Sequence, residues 1–284
     1  MLIMRECVID VIFASRERKD ILLFLKSGPQ DMEFILESLE SDRQALLPHM
    51  RILEENFLVT QFEDVWELTT IGELIADEMI SLLSTADVLD SDIDYWGSHS
   101  LDFIPSHLIK RMNELGKCKV LNTPVTDEYE LNREIIQTSP ISGSLFIAAA
   151  FIQPKCLTAL SEMAQKNVDI YLILTQNALD KLKSRYAAYF EKLIKSKLFH
   201  FYVCSKELGF QAVMCNDYYL LLHLLKSNGE HDSKRILCSN PYATEWGKEL
   251  FGYYLKDSRP ISEMQLNTNK GRISQLSKTE IAGL

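Results

Sequence analysis

The chain has 284 residues, 46% of them hydrophobic and 25% charged, with a net charge of −10. Those proportions exclude a disordered or collagen-like chain. The longest unbroken apolar run, residues 145–152, falls far short of the ~20 that a membrane-spanning helix needs, so no membrane partner is expected.

At ~150 residues per domain, two domains are expected. The first residues mix Arg5, Glu6, Asp10 and Arg16 among apolar side chains, unlike a signal peptide, which makes the cytoplasm the expected location. The charge is uneven. Residues 1–83 hold seven Lys and Arg against seventeen Asp and Glu, and the remainder balances at 23 of each sign. This asymmetry predicts a domain boundary near residue 83.

In chain order, Cys7, Val8, Val11 and Ile12 repeat at helical spacing, and Ile21, Leu22 and Leu25 mark a second helix that stops at Gly28-Pro29. Asp31 opens a third helix, with Phe34, Ile35 and Leu39 on one face. Ser41 and Gln44 fit a capping box that starts a fourth, to about residue 55, burying Leu46, Met50 and Leu53. Two β-rich stretches, 58–62 and 65–68, flank the hairpin-sized gap Glu63-Asp64, and Thr70 caps a long closing helix. Three helices, a two-stranded hairpin and a further helix give the order of a winged helix-turn-helix domain, with 31–39 and 42–55 as the tightly joined pair.

Residues 84–140 read as a linker helix and connecting region. It has a short helix from Pro105, a strand near 117–121 and a helix over 126–137. From 141 to 260 strands alternate with helices: strands at 145–152, 168–175, 198–204, 211–215, 218–225 and 235–239, with helices at 154–167, 177–197 and 241–256. That alternation predicts an open α/β sheet. The overall class is therefore α+β and α/β, an N-terminal winged helix-turn-helix domain followed by a larger α/β sensor and dimerisation domain. Residues 261–284 read as a mobile tail.

Enzyme chemistry finds little footing. Neither glycine-rich phosphate loop is present, nor a metalloprotease or nucleophile-elbow motif. The six cysteines, at 7, 118, 156, 204, 215 and 238, lack zinc-site spacing and read as reduced, mostly buried thiols, so neither a metal nor a cofactor is expected. His200 and His223 lie in strand patterns and read as satisfied core histidines. His231-Asp232-Ser233-Lys234 precedes a strand ending Cys238-Ser239-Asn240, which invites comparison with a phospholipase-D-like site. Such a site spaces His and Lys two apart, with an Asp and a Gly-Ser downstream. Here the spacing is three and the downstream Asp and Gly are missing, so the fold is shared at most in degenerate form, without its reaction.

A recognition helix over 42–55 would present Arg43, Gln44, Leu47, Pro48 and Arg51 to the major groove of double-stranded DNA, with Ser41 and Thr60 as phosphate contacts. The −10 charge opposes phosphate binding, so contacts should be few and a second half-site needed. The apolar residues of the helix from Thr70, namely Ile71, Leu74, Ile75, Met79, Ile80, Leu82 and Leu83, exceed what one small domain covers and predict a homodimer. In the second domain, Ser239, Asn240, Tyr242 and Trp246 at the start of the last helix, with Asp232 at the other end of the preceding strand, are candidates for a small-molecule effector site. The competing reading makes Asn240 a helix cap and Trp246 a core residue.

Several stretches carry a resemblance. Ser27-Gly28-Pro29, the run from Ser41 to Met50, and Leu68-Thr69-Thr70-Ile71-Gly72 are similar to the winged-helix domain of archaeal regulators. Tyr95-Trp96-Gly97-Ser98-His99, Ile104-Pro105, Asn228-Gly229-Glu230-His231-Asp232 and Glu245-Trp246-Gly247-Lys248-Glu249-Leu250-Phe251 resemble the second domain of the methanogenesis-regulator family in particular. Across residues 5–260, that resemblance implies a transcription regulator with a DNA-binding N-terminal domain and a sensory or dimerising C-terminal one. The alternative is a non-enzymatic ligand-sensing or protein-interaction module whose winged helix does not bind DNA.

Overall fold

The computed structural model describes residues 7–122, 131–152 and 154–261. The chain divides into two compact units, Met1–Ser84 and Thr85–Leu284. The tail expected beyond residue 261, and residues 126–130 of the helix expected over 126–137, lie outside the described residues.

The first unit runs α1 (Val8–Phe13), α2 (Arg16–Leu25), β1 (Gln30–Asp31), α3 (Met32–Ser38), α4 (Arg43–Glu55), β2 (Val59–Phe62), β3 (Val65–Leu68) and α5 (Thr70–Asp90), which continues past the unit's end. Side chains start the helices by accepting orphan backbone N–H groups. Ser15 caps α2, Asp31 caps α3 and Asp42 caps α4. The cap of α4 is thus Asp42, whose carboxylate accepts from the Ala45 N–H at 2.8 Å, rather than Ser41 with a Gln44 capping box. Both residues have acceptor side chains, and the charged one takes the position. Thr69, not Thr70, similarly opens α5, accepting from Gly72 N–H at 3.0 Å. Gly72 is required there because a Cβ would fall 1.9 Å from the carbonyl oxygen of Leu58.

Strands β1, β3 and β2 form a small antiparallel sheet in that order, and Ile21, Leu22, Leu25, Ile35, Leu46, Met50, Leu53 and Trp66 close the core beneath it. This is a winged helix-turn-helix, its wing the β2–β3 hairpin turning at Glu63-Asp64.

The second unit begins with the short helices α6 (Ile93–Ser98) and α7 (Ser106–Ile109) and a 3-10 turn at Met112–Leu115. It continues with β4 (Cys118–Asn122), α8 (Arg133–Ser142), β5 (Ser144–Ala149), α9 (Pro154–Gln165), β6 (Asp169–Thr175), α10 (Gln176–Arg185) and α11 (Ala187–Ile194). It ends with β7 (Phe199–Cys204), β8 (Phe210–Cys215), β9 (Leu220–Leu224), β10 (Lys234–Cys238), α12 (Pro241–Lys256) and β11 (Ser258–Pro260). The eight strands form one mixed sheet in the order β11-β7-β6-β5-β8-β9-β10-β4; β5, β6 and β7 are parallel neighbours and the remaining pairs antiparallel.

Alternation along β5 to β7 sends Leu145, Ile147, Ile170, Leu172 and Phe201 to one face, under α8 to α11, and Ala148, Ile173 and Cys204 to the other, under α12 and α6. From Thr85 on, the described residues of the connecting region expected over 84–140 are therefore part of this unit. Tyr95, Trp96, Leu108 and Leu115 enter the core of this sheet, and β4 is its edge strand. The single helix expected over 177–197 is two, broken at Tyr186, where ψ turns to 33°. Of the helix expected over 126–137, the described part is α8, which starts at Arg133, is capped by the Asn132 side chain and runs on to Ser142. No described helix is long and apolar enough to cross a membrane.

Candidate functional site

At 100° per residue, burial of Leu46, Met50 and Leu53 turns Gln44, Pro48 and Arg51 to the opposite side of α4, and all three are exposed. Leu47, expected on that side, instead lies half-buried against the core. Arg43 is exposed but sits off the stripe, where its guanidinium meets the wing carboxylate of Asp64 at 3.2 Å. Thr60 is exposed on β2 opposite Glu67, and Ser41 is half-exposed before the cap. The wing tip is acidic and apolar, with Phe62 75% exposed beside Glu63 and Asp64. The helix face thus offers one amide and one guanidinium to a groove, while the wing brings no cation of its own.

Of the apolar residues expected along α5, Met79 is buried in its own unit and Ile75 and Leu83 are half-buried. Ile71, Leu74, Ile80 and Leu82 remain between 42% and 64% exposed.

In the second unit the candidate effector residues separate. Asn240 caps α12, its Oδ1 accepting from Tyr242 N–H at 2.9 Å. Trp246 has no exposed surface, and its indole N–H donates to the carbonyl of Leu108 at 3.0 Å. The following Gly247 lets α12 settle on the sheet, because a Cβ there would come within 2.6 Å of Leu220. Ser239 and Tyr242 stay exposed beside Asn240. Asp232 lies at the far end of β10, where Oδ1 accepts from Lys234 N–H at 3.1 Å.

That far end holds a buried polar cluster that sequence reasoning did not assemble. His99 stacks on Tyr95, ring centroids 3.9 Å apart, and its Nδ1–H donates to the Tyr95 carbonyl at 2.6 Å. A carbonyl only accepts, so Nδ1 carries a proton. Nε2 of the same ring lies 3.3 Å from Asp232 Oδ2. His223 donates from Nε2 to the Asp232 carbonyl at 2.7 Å, and burial pushes its pKa down to about 4, which keeps it neutral. The Tyr95 hydroxyl accepts from Leu224 N–H at 3.2 Å, and burial holds its phenol well above the usual range. Lys234 Nζ reaches Asp92 at 2.6 Å, which lowers the pKa of that carboxyl. His99 and Asp92 each meet a partner more than a hundred residues on, Asp232 and Lys234 respectively, so no spacing signal joins them.

His231 faces Gln211 at 2.8 Å, while Lys234 is turned to Asp92. The two side chains of the phospholipase-D-like pattern therefore do not converge. His200, the other strand histidine, pairs with Asp169 at 3.1 Å. No group of three or more metal-ligating side chains occurs among the described residues.

Against known proteins, residues 6–87 match the model of the N-terminal domain of the methanogenesis regulatory protein FilR1, and residues 129–257 match that of its middle domain. The chain is 26% identical over 263 residues to the methanogenesis regulatory protein FilR1 of Methanothrix harundinacea (strain 6Ac), covering 90% of this chain and 58% of that protein. It thus spans little more than half the length of that relative. Among solved structures it is similar to TrmBL2, described as an archaeal chromatin protein with a novel mode of DNA binding, at 12% identity and a TM-score of 0.42 over 88% of this chain and 95% of that one. It is also similar to the phospholipase D family member Nuc from Salmonella typhimurium, at 13% identity and a TM-score of 0.39 over 52% of this chain and all of that one. At these scores the two structures add nothing to the strand order given above. With family models matching both units in chain order, the protein belongs to the FilR1 family of methanogenesis regulatory proteins.

Proposed function

We propose that the protein is a DNA-binding transcription regulator that works as a homodimer and carries an effector-sensing second unit. The observation that carries this reading is the stripe of Gln44, Pro48 and Arg51, held outward on α4 by the burial of Leu46, Met50 and Leu53. Gln can pair bidentately with adenine and Arg with guanine or phosphate in the major groove. The regulatory name of the family supports the same role.

With Arg43 engaged by Asp64 and acids at the wing, one copy has few phosphate contacts, so affinity rests on two copies over two half-sites. The exposed apolar residues Ile71, Leu74, Ile80 and Leu82 on α5 support self-association. The effector reading rests on Ser239, Asn240 and Tyr242, which remain together at the start of α12, with Trp246 as the packing beneath them. The divergent His231 and Lys234 support a regulator without hydrolytic activity.

Fluorescence anisotropy on duplexes enriched from random DNA, titrated with salt, tests this directly. Sequence-selective binding with a shallow salt slope supports the reading. Absence of binding at low salt favours the alternative, a winged helix that docks on protein.

A further inference from the structure

Cys118 is the first residue of the edge strand β4 and Cys238 the last of β10, and the two stand directly opposite each other in the antiparallel register. Their Sγ atoms are 2.9 Å apart, and both are free thiols. Directly opposed residues of antiparallel strands have Cα atoms ~4.5–5.5 Å apart, inside the span of about 4.4–6.8 Å that a disulfide bridges. The bond therefore needs rotation of two side chains and no movement of the backbone. The two cysteines also differ in access. Cys118 is half-buried on a strand with no neighbour on its outer side among the described residues, whereas Cys238 has no exposed surface. One thiol is open to a small reagent and the other is placed to resolve the product.

We propose that Cys118 and Cys238 form a redox-modification site, a dithiol that a low-molecular-weight disulfide converts reversibly to a cross-strand disulfide. In the first step the Cys118 thiol gives up its proton and the thiolate attacks one sulfur of the reagent disulfide. The reagent S–S bond breaks, one thiolate leaves and takes up a proton, and a mixed disulfide remains on Cys118. The Cys238 thiol then loses its proton and attacks Cys118 Sγ, expelling the second reagent thiolate, which is protonated in turn. Two protein thiols are oxidised and one reagent disulfide is reduced to two thiols. The hydrogen bond with Cys118, together with burial, raises the pKa of the Cys238 thiol, which fits Cys118 as the first to react. A bound metal is the less favoured use of the pair, because no third ligand joins it among the described residues.

The disulfide would tie the edge strand to β10 two residues before Asn240, the cap of α12, and so fix the part of the sheet from which that helix starts. The test uses the full chain equilibrated in glutathione buffers of increasing oxidised fraction, acid-quenched, unfolded and alkylated. The expected result is loss of two of the six alkylatable thiols, one cross-linked peptide joining Cys118 to Cys238, recovery of all six with dithiothreitol, and a higher melting temperature in the oxidised form. Cys118→Ala and Cys238→Ala should each abolish the intramolecular cross-link and the rise in melting temperature. Cys118→Ala should also remove the mixed glutathione adduct, which Cys238→Ala should trap. Six alkylatable thiols at every oxidised fraction, or a cross-link joining other cysteines, overturns the proposal, and both readouts on the unmutated chain hold even where a variant folds poorly.

Discussion

Arg43, the first residue of α4, lies 3.2 Å from Asp64 at the turn of the wing, with both side chains more than half exposed. An exposed pair of this kind contributes about 0–1 kcal/mol to the fold, so its weight is in what it withholds from DNA. Asp64→Asn should free Arg43 for a phosphate and remove a charge that repels the backbone. Affinity for duplex DNA should rise, and the slope of log K against log salt should steepen by roughly one contact. Unchanged affinity and slope would place the wing away from the duplex.

Gln44→Ala should weaken binding by roughly 1–3 kcal/mol at one base position, and Arg51→Ala should weaken all sequences about equally if its guanidinium holds a phosphate. Arg43→Ala, given its engagement with Asp64, should have the smallest effect of the three. Competition with duplexes altered one base pair at a time separates these outcomes. Wild-type affinity in all three variants would remove α4 from the interface.

Leu74 is 64% exposed on α5 with Ile71 one turn before it. Leu74→Lys should shift sedimentation toward the monomer at micromolar concentration while leaving the melting temperature within a degree or two, since an exposed residue contributes little to its own fold. A monomeric wild-type chain would count against the dimer outright.

The pH dependence of stability follows from His223. Its pKa falls from 6.5 to about 4 in the fold, so between those values the unfolded chain binds a proton that the folded chain does not. Stability therefore falls as pH drops through this window, by about 2 kcal/mol between pH 7 and pH 5. The carboxylates that ion pairs hold low, Asp92, Asp217 and Glu249, add their losses only from about pH 4.5 downward. His223→Gln retains a donor for the Asp232 carbonyl and should flatten the curve between pH 7 and pH 5. Parallel curves in urea titrations would assign the loss to other groups.

Some of this was legible in the sequence and some was not, for physical reasons. Asn240-Pro241 fixes the start of α12 to the residue, because a capping side chain followed by a ring that suits the first helical position has one reading. At α4, Ser41 and Asp42 are both competent caps, and the sequence offers no means of choosing between them. The break at Tyr186 has neither proline nor glycine to announce it. Residues 84–140 read as a connector because their helices are short, yet β4 pairs with β10 more than a hundred residues later. The same distance hid the contacts of His99 with Asp232 and of Cys118 with Cys238. Trp246-Gly247 stood out as a pattern, and its reason is packing. The indole fills the core and the glycine lets the helix close on Leu220.

The central claim, that two copies of the chain read DNA through α4, is tested most directly by selecting bound duplexes from a random pool with the purified chain and repeating the selection with Gln44→Ala. Enrichment of a two-fold-symmetric pair of half-sites about one helical turn apart, with specificity relaxed at one symmetric position in the variant, is the predicted result. A pool that stays random through successive rounds at low salt, or an enriched site that the variant selects unchanged, would contradict it.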